Sequence, residues 1–264
     1  MKSIGIIGFG NMGEAMVQGI QKNQPQLKIN IIEKITARRD VAVQQYSAQD
    51  FTLDYAGFMQ ASDLVVLAIK PQDIHQLLEI LHPHTLNKPI ISILAGVTLG
   101  YFQKTTQSLE IARFMPSLAA SVGKAVVGIS FSTASGEQFR SDALAIAASM
   151  GSGFEIPEQL MPAIVGISGS GLAFVFEFIN ALAMGATRTG LPYATSLKIA
   201  LDVLDGAVAT LRANGVHPSD MTSRVCSPAG TTIEGIMALE KHSFTASVME
   251  AVSAAAHRAR ELES

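Results

Sequence analysis

The chain is poor in several things that proteins use for chemistry or for partnership. Only one of its 264 residues, Cys226, is a cysteine, which excludes an internal disulfide and suits a reducing compartment. Tryptophan is absent, and charged residues make up only 16%, a small share for a soluble protein. The net charge is −3 with no basic block, so a nucleic-acid partner is not expected. The most apolar long stretch, 172–182, is interrupted by Glu177 and Asn180 and falls short of the roughly 18 to 20 residues a membrane span needs, so no membrane partner is expected. His82-Pro83-His84 has no cysteine or carboxylate beside it, and no metal is expected. No histidine or acid pair stands out as a general base, a poor fit to most hydrolases. Met1–Ile7 runs straight into a strand pattern without the form of a signal peptide, and the chain reads as cytoplasmic.

Apolar residues, by contrast, make up 48%. In the first part they alternate as short runs with helical patterns, the signature of a parallel sheet covered by helices. Strands are expected over 3–8, 28–33, 64–69, 89–94, 109–114 and 125–132. Helices are expected over 11–22, 36–46, 72–81 and 137–150. Near Ile156-Pro157 the texture changes, and 158–263 holds only helical periods, punctuated by Gly190-Leu191-Pro192, Asn214-Gly215 and Ser227-Pro228. The expected division is a dinucleotide-binding domain, 1–157, and a helical domain, 158–264. The helix expected over 170–189 is apolar nearly all round, which implies burial on most sides. So small a bundle has too few helices to hide it, which predicts an obligate dimer contact.

Gly8-Phe9-Gly10-Asn11-Met12-Gly13 follows the first strand and opens the first helix. In that context Gly8, Gly10 and Gly13 allow a tight turn, close approach of backbone to a pyrophosphate and close helix–strand packing. Glu33, 20 residues beyond Gly13 at the end of the second strand, stands where an acid holds the ribose 2′-hydroxyl of NAD. Lys34, Arg38 and Arg39 follow and suit a 2′-phosphate instead, so the choice between NADP and NAD stays open. Ala68-Ile69-Lys70-Pro71 ends the expected central strand, the edge where doubly wound sheets place ligands, and Lys70 there can touch ribose or phosphate.

Ser227-Pro228-Ala229-Gly230-Thr231-Thr232 precedes a last amphipathic run beginning at Ile233. A helix N-terminus has unpaired N–H groups and the positive dipole end, so it favours a small anion. The plainer reading is a multiply capped helix start, since Ser and Thr are ordinary caps.

Together these segments resemble pyrroline-5-carboxylate reductases. The resemblance rests on GFGNMG at 8–13, AIKPQ at 68–72, RFMP at 113–116, GISGSG at 166–171 and SPAGTTIEG at 227–235, in the family's order. It implies an α/β fold: an N-terminal Rossmann-type doubly wound sheet and an all-helical C-terminal dimerisation domain, with dimers often built into larger rings. It further implies reduction of 1-pyrroline-5-carboxylate, a cyclic imino acid, to L-proline by NAD(P)H. By resemblance Ser227, Gly230, Thr231 and Thr232 hold the substrate carboxylate, with the Thr232 hydroxyl near the ring nitrogen in the catalytic role. Asn11, Met12, Lys34, Ala68, Lys70 and Pro71 join the glycines and Glu33 on the cofactor. Two departures stand out. Ser117-Leu118-Ala119 replaces the family's Asn-Thr-Pro, and Gly171-Leu172-Ala173-Phe174 stands where the family reads Gly-Pro-Ala-Tyr. A β-hydroxyacid dehydrogenase relative would share the two-domain plan but needs a lysine on the first long helix of the second domain, which is absent here. A non-catalytic nucleotide-binding relative is the remaining alternative.

Overall fold

The computed structural model describes residues 1–81, 88–106 and 108–263, so His82-Pro83-His84 lies outside the described residues. The chain runs β1 (Ser3–Ile7), α1 (Asn11–Asn23), β2 (Lys28–Ile32), α2 (Thr36–Tyr46), β3 (Gln49–Asp50), α3 (Tyr55–Ala61), β4 (Leu64–Leu67), α4 (Ile74–Leu81), β5 (Ile90–Ser92), α5 (Leu99–Thr105), β6 (Ile111–Pro116), β7 (Ala125–Phe131), α6 (Glu137–Met150) and β8 (Gly151–Glu155). From there it is helical: α7 (Met161–Ile164), a π-helical turn (Val165–Ser170), α8 (Gly171–Arg188), α9 (Tyr193–Asn214), α10 (Pro218–Val225), α11 (Thr231–Lys241) and α12 (Phe244–Glu261).

The strands form one sheet in the order β3-β2-β1-β4-β5-β6-β7-β8, parallel throughout except for the antiparallel β6–β7 pair. Strands buried on both faces read as continuous apolar runs. Their side chains still alternate between faces: Ile4, Ile6, Leu64 and Val66 join one core with Met16, Ile20, Phe139 and Ile146. Ile7, Val65 and Leu67 join the other with Phe58, Leu77, Leu81 and Phe102.

Four elements go beyond the sequence expectation. β3 is two residues long, and α3 and α5 are seven each, too short to show a period, although Asp54 and Thr98 cap them by accepting N–H bonds from Gly57 and Tyr101. β8 is a mostly exposed edge strand of Gly-Ser-Gly-Phe-Glu, without an apolar pattern. One expectation is corrected. The helical run 158–188, 31 residues long, is continuous through the π turn and contains an 18-residue window of mean hydropathy 1.7, so by length and composition alone it is long and apolar enough to cross a membrane.

The chain divides into two compact units, one of residues 1–169 with 255–264, the other 170–254. In the second unit α8 packs on α9, yet Val175, Phe176, Met184, Ile199, Leu201 and Val203 stay exposed. In the first unit the largest buried side chain is Arg113 on β6, 1% exposed. Its guanidinium bonds Glu158 at 3.2 Å and also Glu263, and Glu158 in turn accepts the Leu99 N–H at 2.7 Å. The Leu262 carbonyl lies against Gly96, where a Cβ would meet it at 2.6 Å.

Two stability predictions follow from these joints. The double variant Glu158→Gln, Glu263→Gln leaves Arg113 buried and without a counter-charge, and is expected to lose about 3–5 kcal/mol in urea unfolding, whereas Arg113→Met loses less. A double variant as stable as the parent would refute the joint. Asp63 accepts the Lys2 N–H at 2.7 Å and the Ser3 N–H at 3.0 Å. These bonds, the Lys2 one foremost, hold its carboxyl below the usual range against the opposing effect of burial. A depressed carboxylate stabilises the fold above its unfolded value, near 3.9, and loses that contribution as pH falls through the lower folded value. Asp63→Asn is thus expected to be less stable by under about 1 kcal/mol at pH 7, since the group is exposed. Thermal melts at successively lower pH should show that difference shrink and vanish once the carboxyl is protonated in the folded state as well.

Candidate dinucleotide and anion sites

The strand order reverses around β1, whose neighbours are β2 and β4, and ligands of open parallel sheets bind at such a point beyond the carboxyl ends of the strands. Gly8 makes the turn out of β1 with φ +95°, in the left-handed region, and a Cβ there would meet the Ala68 carbonyl oxygen at 2.6 Å. A Cβ on buried Gly13 would drive into the Gly8 carbonyl oxygen. At Gly10 a Cβ meets nothing within 4 Å, so the backbone there borders open space. Gly10 is also the N-cap of α1, and no side chain caps this helix. Its first-turn N–H groups therefore lack intrahelical partners and form the positive end of the helix dipole.

A cavity of about 770 Å³ opens at this point. Of the residues the sequence reading assigned to the cofactor, Gly8, Gly10, Asn11, Glu33, Lys34, Ala68 and Lys70 line it, and Met12, Gly13 and Pro71 do not. Gly13 acts instead through packing, and Pro71 begins the 3₁₀ turn Pro71–Asp73 that redirects the chain into α4. Sequence reasoning missed Ile35, Tyr55, Asp73, Leu77 and Ile80 on the same walls. The period of Leu77 with Ile74, Leu78 and Leu81 marked α4 as amphipathic, but Tyr55 starts a helix too short to be foreseen, and burial pushes its phenol up. The glycine cradle, the uncapped helix and the cavity volume fit a dinucleotide.

Glu33 lies just beyond β2, only 7% exposed. Its Oε2 accepts the Phe9 N–H at 2.6 Å and its Oε1 the Ile35 N–H at 2.7 Å. Arg38 donates to the Phe9 carbonyl at 3.4 Å and to Asn11 Oδ1 at 3.0 Å, and Lys34 is exposed at the rim. Arg39 turns away, to Thr36 and Asp50.

In the second unit Ser227–Gly230 forms a turn closed by the Gly230 N–H on the Ser227 carbonyl at 3.0 Å, with Ala229 at φ +55°. Pro at the second position and positive φ at the third describe a type II turn, and alanine in the left-handed region is strained. A Cβ on Gly230 would meet Ser227 Oγ and displace that hydroxyl from its place in the turn. Gly230 then caps α11 by backbone alone: no side chain caps the helix, which overturns the reading of a multiply capped start. Thr222 and Ser223 on α10 spend their hydroxyls on Pro218 and Ser219 carbonyls. By contrast, those of Ser227, Thr231 and Thr232 have no intramolecular partner among the described residues. The turn therefore offers free N–H and O–H donors and no basic side chain, a set suited to a small carboxylate.

Ser117 is buried at the end of β6, where its hydroxyl accepts the Val126 N–H at 3.2 Å. Cys226, beside the turn, is partly buried. Among the described residues no cluster of three metal-ligating side chains exists.

Two family models match the chain: pyrroline-5-carboxylate reductase dimerisation over residues 158–262, and NADP oxidoreductase, coenzyme F420-dependent, over 3–96. The pyrroline-5-carboxylate reductase of Aquifex aeolicus is 35% identical over 98% of this chain and 97% of its own length. That of Synechocystis is 36% identical over the same shares. Among solved structures, the Coxiella burnetii pyrroline-5-carboxylate reductase superposes with a TM-score of 0.91 at 27% identity, covering 99% of this chain and 98% of that one. The Plasmodium falciparum pyrroline carboxylate reductase, solved with NADP bound, gives 0.88 at 25% identity over the same shares.

The glycine geometry carries a direct test. Gly13→Ala should displace the β1–α1 turn and weaken NADPH binding by at least about tenfold, because a Cβ meets backbone rather than a movable side chain. Unaltered affinity in an equilibrium titration would refute the cradle.

Proposed function

The chain belongs to the pyrroline-5-carboxylate reductase family, and on that premise we propose that it reduces 1-pyrroline-5-carboxylate to L-proline by hydride transfer from NADPH, with NADH the weaker donor. The observation that carries the reading is the uncapped start of α11 with three unpartnered hydroxyls, Ser227, Thr231 and Thr232. A substrate with one carboxylate and one ring nitrogen matches it. The first-turn N–H groups and the hydroxyls of Ser227 and Thr231 hold the carboxylate, Gly230 lets it approach the backbone, and the Thr232 hydroxyl bonds the ring nitrogen. A protonated imine is already electrophilic, so the chain needs to orient it and stabilise charge rather than supply a general base. When bound, the cofactor supplies the hydride. Gly8, Gly10, Asn11, Met12 and Gly13 hold its pyrophosphate, and Ala68, Lys70 and Pro71 border its ribose edge. Lys34 and Arg38 give the rim the positive charge a 2′-phosphate needs, which supports NADPH.

A functional division at 157/158 is supported by the start of the dimerisation match, although the compact units part 12 residues later, at 169/170. Exposed apolar side chains on α8 and α9 support at least a homodimer formed through this helical domain, which also accounts for the apolar run 158–188 without a bilayer. Rings of dimers are the next assembly to look for. The single cysteine supports a cytoplasmic setting. α8 carries no lysine and Lys198 lies on α9, which disfavours hydroxyacid dehydrogenase chemistry.

Steady-state reduction of 1-pyrroline-5-carboxylate, run with NADPH and NADH in parallel, tests the proposal. NADPH should give the higher kcat/KM, and Thr232→Ala should lower turnover by about 10²-fold or less, the cost of one positioning hydrogen bond. NADPH binding without turnover would favour the non-catalytic alternative, and a loss of twofold or less at Thr232 would remove that residue's role.

A further inference from the structure

We infer that Glu33 is a positioning residue that braces the glycine-rich turn, not the ligand of the cofactor's ribose. The inference deepens the dinucleotide reading above and rests on it. An acid in this place selects NAD by offering free carboxylate lone pairs to the ribose 2′-hydroxyl and repelling a 2′-phosphate. Here the carboxylate is buried, and each oxygen already accepts a short bond from a backbone N–H, Phe9 on one side and Ile35 on the other. Phe9 sits between Gly8 and Gly10. In a turn that cradles phosphate its N–H would otherwise be free to rotate toward the ligand or toward water. With that N–H turned inward onto Glu33, and the Phe9 carbonyl held by Arg38, the peptide planes on both sides of Phe9 are held from the β2–α2 corner. Gly10 and Asn11, at the uncapped start of α1, are then left bordering the cavity. The negative charge is taken up by backbone dipoles instead of projecting at the rim, so it does not oppose a phosphate beside Lys34 and Arg38.

Equilibrium titration with NADPH and with NADH, in the absence of substrate, distinguishes the two roles. Glu33→Gln keeps the shape but turns one acceptor into a donor facing an N–H. As a brace, its loss should weaken both cofactors equally, about tenfold, the order of one charged hydrogen bond. The affinity ratio should stay within twofold of the parent's. Hydrogen exchange of the ligand-free protein should show the Phe9 amide exchanging faster in the variant while the β4 amides keep their parental rates. Glu33→Asp, which keeps the charge, should recover part of both effects, and it replaces Glu33→Gln if that variant does not fold. Selective loss of NADH with tighter NADPH would overturn the inference and make Glu33 a ribose ligand. Unchanged affinities, or unchanged Phe9 exchange, would also overturn it. If the parent binds neither cofactor, the dinucleotide reading fails, and Phe9 exchange still decides whether Glu33 holds the turn.

Discussion

The dinucleotide end depends on a steric constraint between backbones. Gly8 turns out of β1 directly against the Ala68 carbonyl at the end of β4, and Gly13, one turn into α1, lies against Gly8. Neither place admits a Cβ. Because three segments meet through bare backbone, α1 starts close to the sheet, its first-turn amides open on the cavity, and Lys70 leaves the sheet beside them. The hydrophobic cores on both faces hold the sheet, but they would tolerate many sequences. The glycine contacts would not.

Both candidate sites use the same physical device. Each is a helix start whose N-cap is a glycine and whose first turn no side chain caps. One has room for a large anion, with Lys34, Arg38 and Lys70 at its rim; the other is a tight turn with hydroxyls alone. That difference suits a pyrophosphate in the first and a single carboxylate in the second. It also explains why the sequence lacks a conspicuous acid–base pair. Fixed N–H and O–H dipoles stabilise charge without changing protonation, and the electrons come from a bound cofactor.

Much of this was legible in the sequence, for identifiable reasons. The central strands are buried on both faces and so stand out as apolar runs, and the glycine spacing follows from contacts that only glycine allows. The turn at Ser227 was readable as a helix start, but whether its hydroxyls cap the helix or stay free depends on the backbone path through Ala229, which composition does not encode. Glu33 was legible only in part for a similar reason: its place at the end of β2 is visible in spacing, while the partner of its carboxylate, the Phe9 N–H, lies 24 residues earlier. Tyr55 and β8 were missed because one lies in a helix of two turns and the other is an exposed edge. The apolar run 158–188 is longer than the helix expected over 170–189 because the π turn Val165–Ser170 joins it to the preceding helical residues.

The joint at Arg113 has a consequence for the order in which the chain acquires structure. The first compact unit is not contiguous: it needs residues 255–263, and the Glu263 carboxylate that helps neutralise Arg113 is made 150 residues after the arginine itself. During synthesis Arg113 therefore has Glu158 as its acceptor first, and its second carboxylate comes only after the whole helical unit has emerged. Such an arrangement ties the last hydrogen bond of the buried guanidinium to the end of the chain, so that a chain shortened by a few residues keeps the Glu158 ion pair but leaves part of the Arg113 fork without an acceptor in the core.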